Sequence, residues 1–445
     1  MNGFLSNPKG KAVWEGIMNI RQSYAYNLRR MLPTVLIAAF FGLILSLSPL
    51  DARNARAEIA SNLQVAKTFT DTSQVATATF VDGTGKPVIA EDKGYSTVRN
   101  TYNNLNLLEK SEFLDLNGQL VTSLGDGYAV CTQKWNARAQ LLERAYADVN
   151  GNPAKGPDGY YREVNEYSIK RLLSTTHYGV DGKLFCDADR EIFGKVLYEY
   201  NEKNGYLLKQ SYFDENERPV ENKDGWARVE NTYLGAKIVT TYYYDANDAL
   251  TINHKVGYAA YVQKVLHGRV LETAYLNEKG EYMINRFLGY AYSVNSFKGK
   301  MNLPVRETYY DEKGNPCQTK KGYYAVEYVY DTGARLAGMR YLDEKGNRTA
   351  CREGYSRVDW VTSTKDAILS QTYYDENDRK MIVPGLGYCT AEYTYNKYNH
   401  RKSARYLDTK DKETLLPEGY SRVQYNWSYE ENKNGLMTDE TYYKP

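Results

Sequence analysis

Tyr309-Tyr310-Asp311-Glu312-Lys313-Gly314-Asn315-Pro316, followed by Gly322-Tyr323, Tyr330, Leu336 and Tyr341-Leu342-Asp343, is the stretch that decides the fold. Asp followed three residues later by Gly is a turn signature. The carboxylate accepts a backbone N–H and the Gly takes positive φ at the exit, which marks a tight hairpin turn. Beyond it, a stretch such as Tyr355-Ser356-Arg357-Val358-Asp359-Trp360-Val361-Thr362 alternates apolar and polar character and is rich in β-branched and aromatic residues, so it reads as a strand. After a polar turn, Ile368-Leu369-Ser370-Gln371-Thr372-Tyr373-Tyr374 reads as its partner. An amphipathic helix would need the 3.6-residue period over a dozen residues, and the unit offers no such run.

This unit recurs. Gly followed by an aromatic stands at Gly94-Tyr95, Gly127-Tyr128, Gly159-Tyr160, Gly225-Trp226, Gly257-Tyr258, Gly289-Tyr290, Gly322-Tyr323, Gly354-Tyr355, Gly387-Tyr388 and Gly419-Tyr420. The steps are 32 or 33 residues, apart from one of 66 that hides a degenerate copy with Gly194-Lys195 in the expected slot. A second marker, an aromatic just before Asp or Asn, runs in phase from Asp82 to Asp408, with Asp181 the nearest match in the degenerate copy. That gives about eleven copies. Two short strands cannot bury a core alone, so each copy must lean on its neighbours. The expected fold is all-β, an elongated array or solenoid of two-stranded hairpins; a closed propeller is disfavoured because two strands are too few for a blade. The degenerate copy carries Cys186, Asp187, Asp189 and Arg190 in an insertion that reads as a bend or a specialised loop.

Composition bounds the function. Across 445 residues, 57 Lys and Arg face 55 Asp and Glu, and 44 tyrosines supply much of the apolar bulk. A disordered chain would lack those aromatics, and a general polyanion binder would carry a strong positive excess. Tyrosine suits a thin structure because its ring is buried while the hydroxyl reaches the wet edge. The cysteines, Cys131, Cys186, Cys317, Cys351 and Cys389, are odd in number and hold no C-x-x-C pair, which supports neither a disulfide framework nor a zinc site. Each reads as a small buried residue. His177, His254, His267 and His400 lie far apart in sequence, so the material for histidine chemistry or a metal centre is thin.

One segment breaks the polar average. Residues 31–50 carry no charge, and twenty residues at 1.5 Å rise make a helix of roughly 30 Å, the thickness of a hydrocarbon core. Lys9, Lys11, Arg21, Arg29 and Arg30 precede it against Glu15 alone, which holds that flank in the cytoplasm and exports the rest. The reading is a basic cytoplasmic segment at 1–30, a transmembrane helix or signal h-region at 31–50, a linker at 51–75 and the repeat domain at 76–445. Ala55 and Ala57 also make a small-x-small cleavage pattern, with Glu58 as the new terminus, so a secreted form stays open. The part after residue 50 is close to neutral, and nucleic acid is not expected as a partner.

The repeated Asp invites a calcium reading at Asp148-Val149-Asn150-Gly151 and Asp214-Glu215-Asn216. Neither is followed by the Glu that closes such a loop, so turn chemistry is preferred. Asp187 and Asp189 could suggest glycoside hydrolysis, yet acids are spread over every turn, and no enzyme, cofactor or metal is expected.

The order of aromatic pair, turn, Gly and Gly-aromatic from Tyr309-Tyr310 to Gly322-Tyr323 resembles the aromatic-rich hairpin repeats of bacterial cell-wall-binding modules of the choline- and glucan-binding type. It is also similar to the tyrosine-Asp repeats of bacterial surface and toxin shells. The resemblance spans roughly Ala76 to Pro445 and implies an exported, non-catalytic envelope protein that binds glycan or acts as a surface scaffold. The expected function is therefore multivalent binding of cell-envelope polysaccharide at shallow aromatic sites between repeats, with Trp226, Trp360, Trp427, Tyr258, Tyr323 and Tyr355 as candidate ligand-binding residues. The alternative is a protein-interaction scaffold or adhesin whose aromatics are entirely structural.

Overall fold

In the computed structural model, residues 63–299, 302–428 and 436–445 are described. The expected segment at 31–50 lies outside them; among the described residues no helix is long and apolar enough to cross a membrane.

The chain divides into an N-terminal unit, residues 63–231 with 243–249, and a C-terminal unit, residues 232–242 with the described residues from 250 onward. Ten strands lie wholly in the first: β1 (Gln64–Phe69), β2 (Val75–Val81), β3 (Thr97–Tyr102), β4 (Leu108–Leu114), β5 (Val130–Trp135), β6 (Leu141–Ala147), β7 (Arg162–Ser168), β8 (Arg171–Tyr178), β9 (Lys195–Tyr200) and β10 (Leu207–Phe213). The strands β11 (Arg228–Leu234) and β12 (Lys237–Tyr244) cross the division. Twelve follow: β13 (Ala260–Leu266), β14 (Arg269–Leu276), β15 (Tyr292–Phe297), β16 (Pro304–Tyr310), β17 (Ala325–Tyr330), β18 (Leu336–Leu342), β19 (Arg357–Thr362), β20 (Ile368–Tyr374), β21 (Thr390–Tyr395), β22 (Arg401–Leu407), β23 (Arg422–Ser428) and β24 (Leu436–Tyr443). Within each unit, successive strands pair antiparallel, so the all-β hairpin reading holds. The array starts earlier than residue 76. β1 pairs with β2 inside the expected linker, and it escaped notice because no Gly-aromatic pair precedes it.

Each copy uses three turns. The hairpin tip of β19 and β20 closes where Ser363 Oγ accepts the N–H groups of Lys365 and Ala367. The Asp turn follows the second strand: Asp311 Oδ1 accepts from Lys313 N at 2.9 Å and Asn315 N at 2.8 Å, and Gly314 takes φ 86°. Those bonds to the charged form hold the Asp311 carboxyl below its ordinary range, the Asn315 side chain contributing most. Asp148 and Asp214, the calcium candidates, spend their oxygens the same way on Asn150, Asn152, Asn216 and Arg218. This turn folds a short arm back onto the strand it leaves, with Pro316 bridged to Tyr310. The arm ends in the Gly-aromatic turn. Gly322 sits at φ 92°, and a Cβ there would lie 3.3 Å from Arg352 N of the next copy. Conformation and space both favour glycine.

Hairpin strands have two faces. On one, the ring after each turn Gly and the first aromatic of the following Asp marker alternate into a ladder. On the other, the residue that opens each hairpin is chosen by its cross-strand partner. Arg162 lies over Tyr178 at 4.6 Å, Arg357 over Tyr374 at 3.8 Å and Arg422 over Tyr443 at 4.8 Å. Where the partner is Leu, the residue is small: Ala260 with Leu276, Ala325 with Leu342, Thr390 with Leu407. Cation–π contact and apolar packing thus substitute for one another at one place in the repeat.

Every hairpin pairing in the regular copies also shifts register near its tip, as between Val361 and Thr362. The next hairpin covers a carbonyl at that point. Tyr102 Oη donates to Val75 O at 3.0 Å, Trp135 Nε1 to Leu108 O at 2.7 Å, Tyr330 Oη to Pro304 O at 2.8 Å and Tyr395 Oη to Ile368 O at 2.8 Å. An amide joins the phenol at Val75 O, where Asn100 donates at 3.1 Å, and at Val270 O the donor is the amide of Asn295, also at 3.1 Å. A buried carbonyl left bare would cost about 1–3 kcal/mol, so this recurring strut ties neighbour to neighbour.

The degenerate copy departs in detail from its sequence reading. Its Gly-aromatic slot is filled by Glu191-Ile192, not Gly194-Lys195: Glu191 takes φ 59° after a short 3-10 helix (Ala188–Arg190), and Ile192 bridges Asp187. Its Asp-turn slot is filled by Gly179, whose carbonyl accepts Gly182 N–H at 2.9 Å, rather than by Asp181. Glu191 stands 32 residues after Gly159 and Gly179 stands 31 after Asp148, so the marker residues are replaced rather than displaced.

Candidate functional site

The ladder runs through both units. In the N-terminal unit it passes Phe80, Tyr95, Phe113, Tyr128, Tyr146, Tyr160 and His177, and then resumes at Phe193, Tyr212, Trp226 and Tyr243. Between its two runs, His177 Nδ1 lies 2.7 Å from Phe193 O, so a hydrogen bond carries the contact that rings make elsewhere. In the C-terminal unit the sequence Tyr258, Tyr275, Tyr290, Tyr309, Tyr323, Tyr341, Tyr355, Tyr373, Tyr388, Tyr406, Tyr420 and Tyr442 is unbroken. Each offset or tilted ring pair adds about 0.5–1.5 kcal/mol beyond its buried area. Burial pushes the phenols up: Tyr95, Tyr212, Tyr275 and Tyr393 reach about 12.

Four of the six sequence candidates are rungs. Trp226 lies between Tyr212 at 5.0 Å and Tyr243 at 5.6 Å, and its buried Nε1 has no hydrogen-bond partner. Tyr258 packs on Tyr275 at 5.2 Å. Tyr323 sits between Tyr309 at 5.8 Å and Tyr341 at 4.5 Å, and Tyr355 between Tyr341 at 5.7 Å and Tyr373 at 4.7 Å. Trp360 belongs to the same face one position along β19, opposite Gln371, and is 7% exposed. Trp427 stacks on His400 at 4.5 Å and gives its Nε1–H to Arg401 O at 2.8 Å, which makes it a strut. The structure therefore gives each candidate ring a packing role, and the bonds that would orient a sugar are spent internally or shut away. A cleft of about 340 Å³ at the tips of the first two hairpins is lined by Thr70, Asp71, Thr72, Asn100, Tyr102 and Asn103; Asn100 and Tyr102 are committed there to Val75 O.

What the sequence reading missed is a polar interior. Arg144 and Glu163 face each other across β6 and β7 at 3.5 Å, on the ladder face, at positions where other copies carry Met, Val or Ala. Tyr160 Oη and Asn165 Nδ2 donate to Glu163 at 3.1 and 2.7 Å, Thr175 Oγ1 donates to Asn165 at 2.7 Å, and Arg144 Nε has no partner. Reading the copies one above another would have shown Glu163 beneath Val98 and Cys131. Among the described residues no group of three or more His, Cys, Asp or Glu is placed to hold a metal. Asp187 is engaged by Arg190, its carboxylate 3.3 Å from Nε.

No family model matches the chain, and no curated protein matches it. Among solved structures, it is similar to a TcdB2-TccC3-Cdc42 crystal structure over 83% of this chain and 24% of that chain, at 10% identity and a TM-score of 0.27. A TcdB2-TccC3 structure without its hypervariable C-terminal region matches over 81% of this chain and 20% of that chain, at 12% identity and the same score. The chain thus spans about a quarter of the length of the structures it matches.

Proposed function

We propose that the chain is a non-catalytic β-hairpin-repeat scaffold of the cell surface, the second of the two functions expected from its sequence. One observation carries this reading: all six rings nominated as ligand-binding, Trp226, Trp360, Trp427, Tyr258, Tyr323 and Tyr355, pack against other rings or are closed off by burial. The uncharged segment at 31–50 and its basic flank support export, either with a retained membrane anchor or as a secreted form. In such a scaffold the function lies in the surface the ladder displays.

The test separates binding from stability. Trp360→Phe and Tyr323→Phe are compared with the unsubstituted chain for sedimentation with isolated bacterial cell walls, with and without competing soluble polysaccharide, and for thermal unfolding. A structural ladder lowers the unfolding temperature and leaves wall binding per folded molecule unchanged. Loss of competable binding at unchanged stability would return the function to the rings and overturn the scaffold reading.

A further inference from the structure

We infer that the Gly-aromatic turns of four consecutive copies in the C-terminal unit form a basic strip that binds a linear anionic polysaccharide. The turns run from Asn253 to Gly257, Asn285 to Gly289, Thr319 to Gly322 and Cys351 to Gly354. They present Lys255, Arg286, Lys320, Lys321 and Arg352, all exposed. Backbone contacts make the row continuous. Asn285 Nδ2 donates to Val256 O at 2.9 Å, the Arg286 guanidinium donates to His254 O, Lys320 N donates to Leu288 O at 2.8 Å, and Arg352 N donates to Lys321 O at 2.7 Å. Two strands per copy put successive turns about 10 Å apart.

Charge and pairing single out this row. None of the five cations takes part in an ion pair among the described residues, whereas elsewhere in the unit Lys380, in the arm after its Asp turn, pairs with Asp411, and Arg357 with Asp359 and Asp378. The acids beside the row are Glu353, next to Arg352, and Glu312, whose Oε1 accepts Ile284 N at 3.0 Å. The corresponding turns of the N-terminal unit are acidic on balance: Glu91 and Asp92 stand with Lys93, Asp126 and Asp158 stand alone, Asp189 and Glu191 flank Arg190, and the turn of Lys223 and Asp224 is neutral. The near-neutral total conceals this segregation. A single file of cations one turn wide follows one flexible chain of anionic groups, and uncompensated cations release counterions when it binds. Single-stranded nucleic acid would call for successive stacking faces along the row, and the exposed rings, His254 and Phe287, stand in the first two turns with none in the last two.

This ligand goes beyond the scaffold reading, and its failure is separately visible, because the substitutions touch no ladder ring. The full chain in detergent is titrated with polygalacturonate, with neutral dextran and with oligo(dT), at low and high salt. Lys255→Ser, Arg286→Ser, Lys320→Ser, Lys321→Ser and Arg352→Ser are combined in one variant. The control variant combines Lys279→Ser, Lys313→Ser and Lys345→Ser, exposed lysines of the Asp turns in the same unit. Salt-sensitive binding of polygalacturonate, no binding of dextran, and a roughly hundredfold loss in the strip variant, against about twofold in the control, are the expected results. Absence of polygalacturonate binding at low salt, equal losses in the two variants at equal unfolding temperature, or tighter binding of oligo(dT) would each overturn it.

Discussion

The junction of β6 with β7 and that of β18 with β19 are the same place in two copies of the repeat, and they hold opposite chemistry. In the first, Arg144 faces Glu163; in the second, Met339 faces Val358, 7% and 2% exposed. Two residues further along the same face Asn165 stands where Trp360 does, and both units mix the two chemistries there, with Tyr198 in the N-terminal one and Gln263 and Asn295 in the C-terminal one. The backbone register is identical, so the hairpin frame does not require an apolar filling. A buried carboxylate gathers donors instead: Tyr160 and Asn165 donate to Glu163 and Thr175 to Asn165, while Arg144 Nε is left without a partner. The ladder differs too: unbroken in the C-terminal unit, it yields at His177 and Phe193 to one hydrogen bond in the N-terminal unit.

The largest effect available is to charge the ladder in both units at once. The phenols of Tyr95, Tyr212, Tyr275 and Tyr393 rise by burial from the ordinary 10.0 to about 12. A raised folded-state value means that the contribution is full below pH 10 and lost as pH climbs through about 12. Circular dichroism should show cooperative loss of sheet in that window and none between pH 7 and 9; titration of the tyrosines near pH 10 with the sheet intact would refute ladder burial.

Next comes a single rung. Tyr373, 2% exposed between Tyr355 and Tyr388, should cost about 3–5 kcal/mol as Tyr373→Ala in urea unfolding. His177→Ala, at the end of a run, should cost about 1–2 kcal/mol. Equal costs would mean that ladder continuity contributes nothing.

Breaking the polar junction should fall close behind. Glu163→Val alone strands a buried guanidinium and should cost about 3 kcal/mol, whereas Arg144→Met with Glu163→Val, the filling seen at β18 and β19, should be neutral or stabilising by about 1–2 kcal/mol. A double variant as unstable as the single one would show that the pair holds the junction by its charge.

The smallest effects test the regular and degenerate turns and the struts. Gly322→Ala should cost about 1–2 kcal/mol, and Glu191→Gly, relieving a left-handed residue in the degenerate copy, should add a few tenths, roughly up to 1 kcal/mol. Tyr395→Phe, which bares Ile368 O, should cost about 1 kcal/mol by thermal unfolding, with no change at the next hairpin.

Much of the fold is legible in the chain because the repeat writes each local requirement many times. Asp311 announces a turn, Gly314 the positive φ at its exit, and the stretch from Tyr355 to Thr362 a strand, and each forms as read. The degenerate copy was misread because Glu191 does a glycine's work and Gly179 an aspartate's, substitutions that leave the backbone path intact while erasing the marker. The candidate rings take packing roles for another reason. Trp226, Trp360 and Trp427 are large rings in a polar chain, and their size marks burial in a thin sheet as readily as a binding face.

The sequence by itself determined the all-β class, the period, and the Asp–Gly turn of each copy with the residues that close it, since these depend on contacts within a few residues. Only the tertiary structure decided what lies across a junction. Trp427 becomes a strut through Arg401 O, Arg144 meets Glu163 across β6 and β7, and Lys255, Arg286, Lys320 and Arg352 come into one row although some thirty residues separate each from the next. Those contacts are made by pairing register between copies, and composition, which sums charge along the chain, is blind to where register places it.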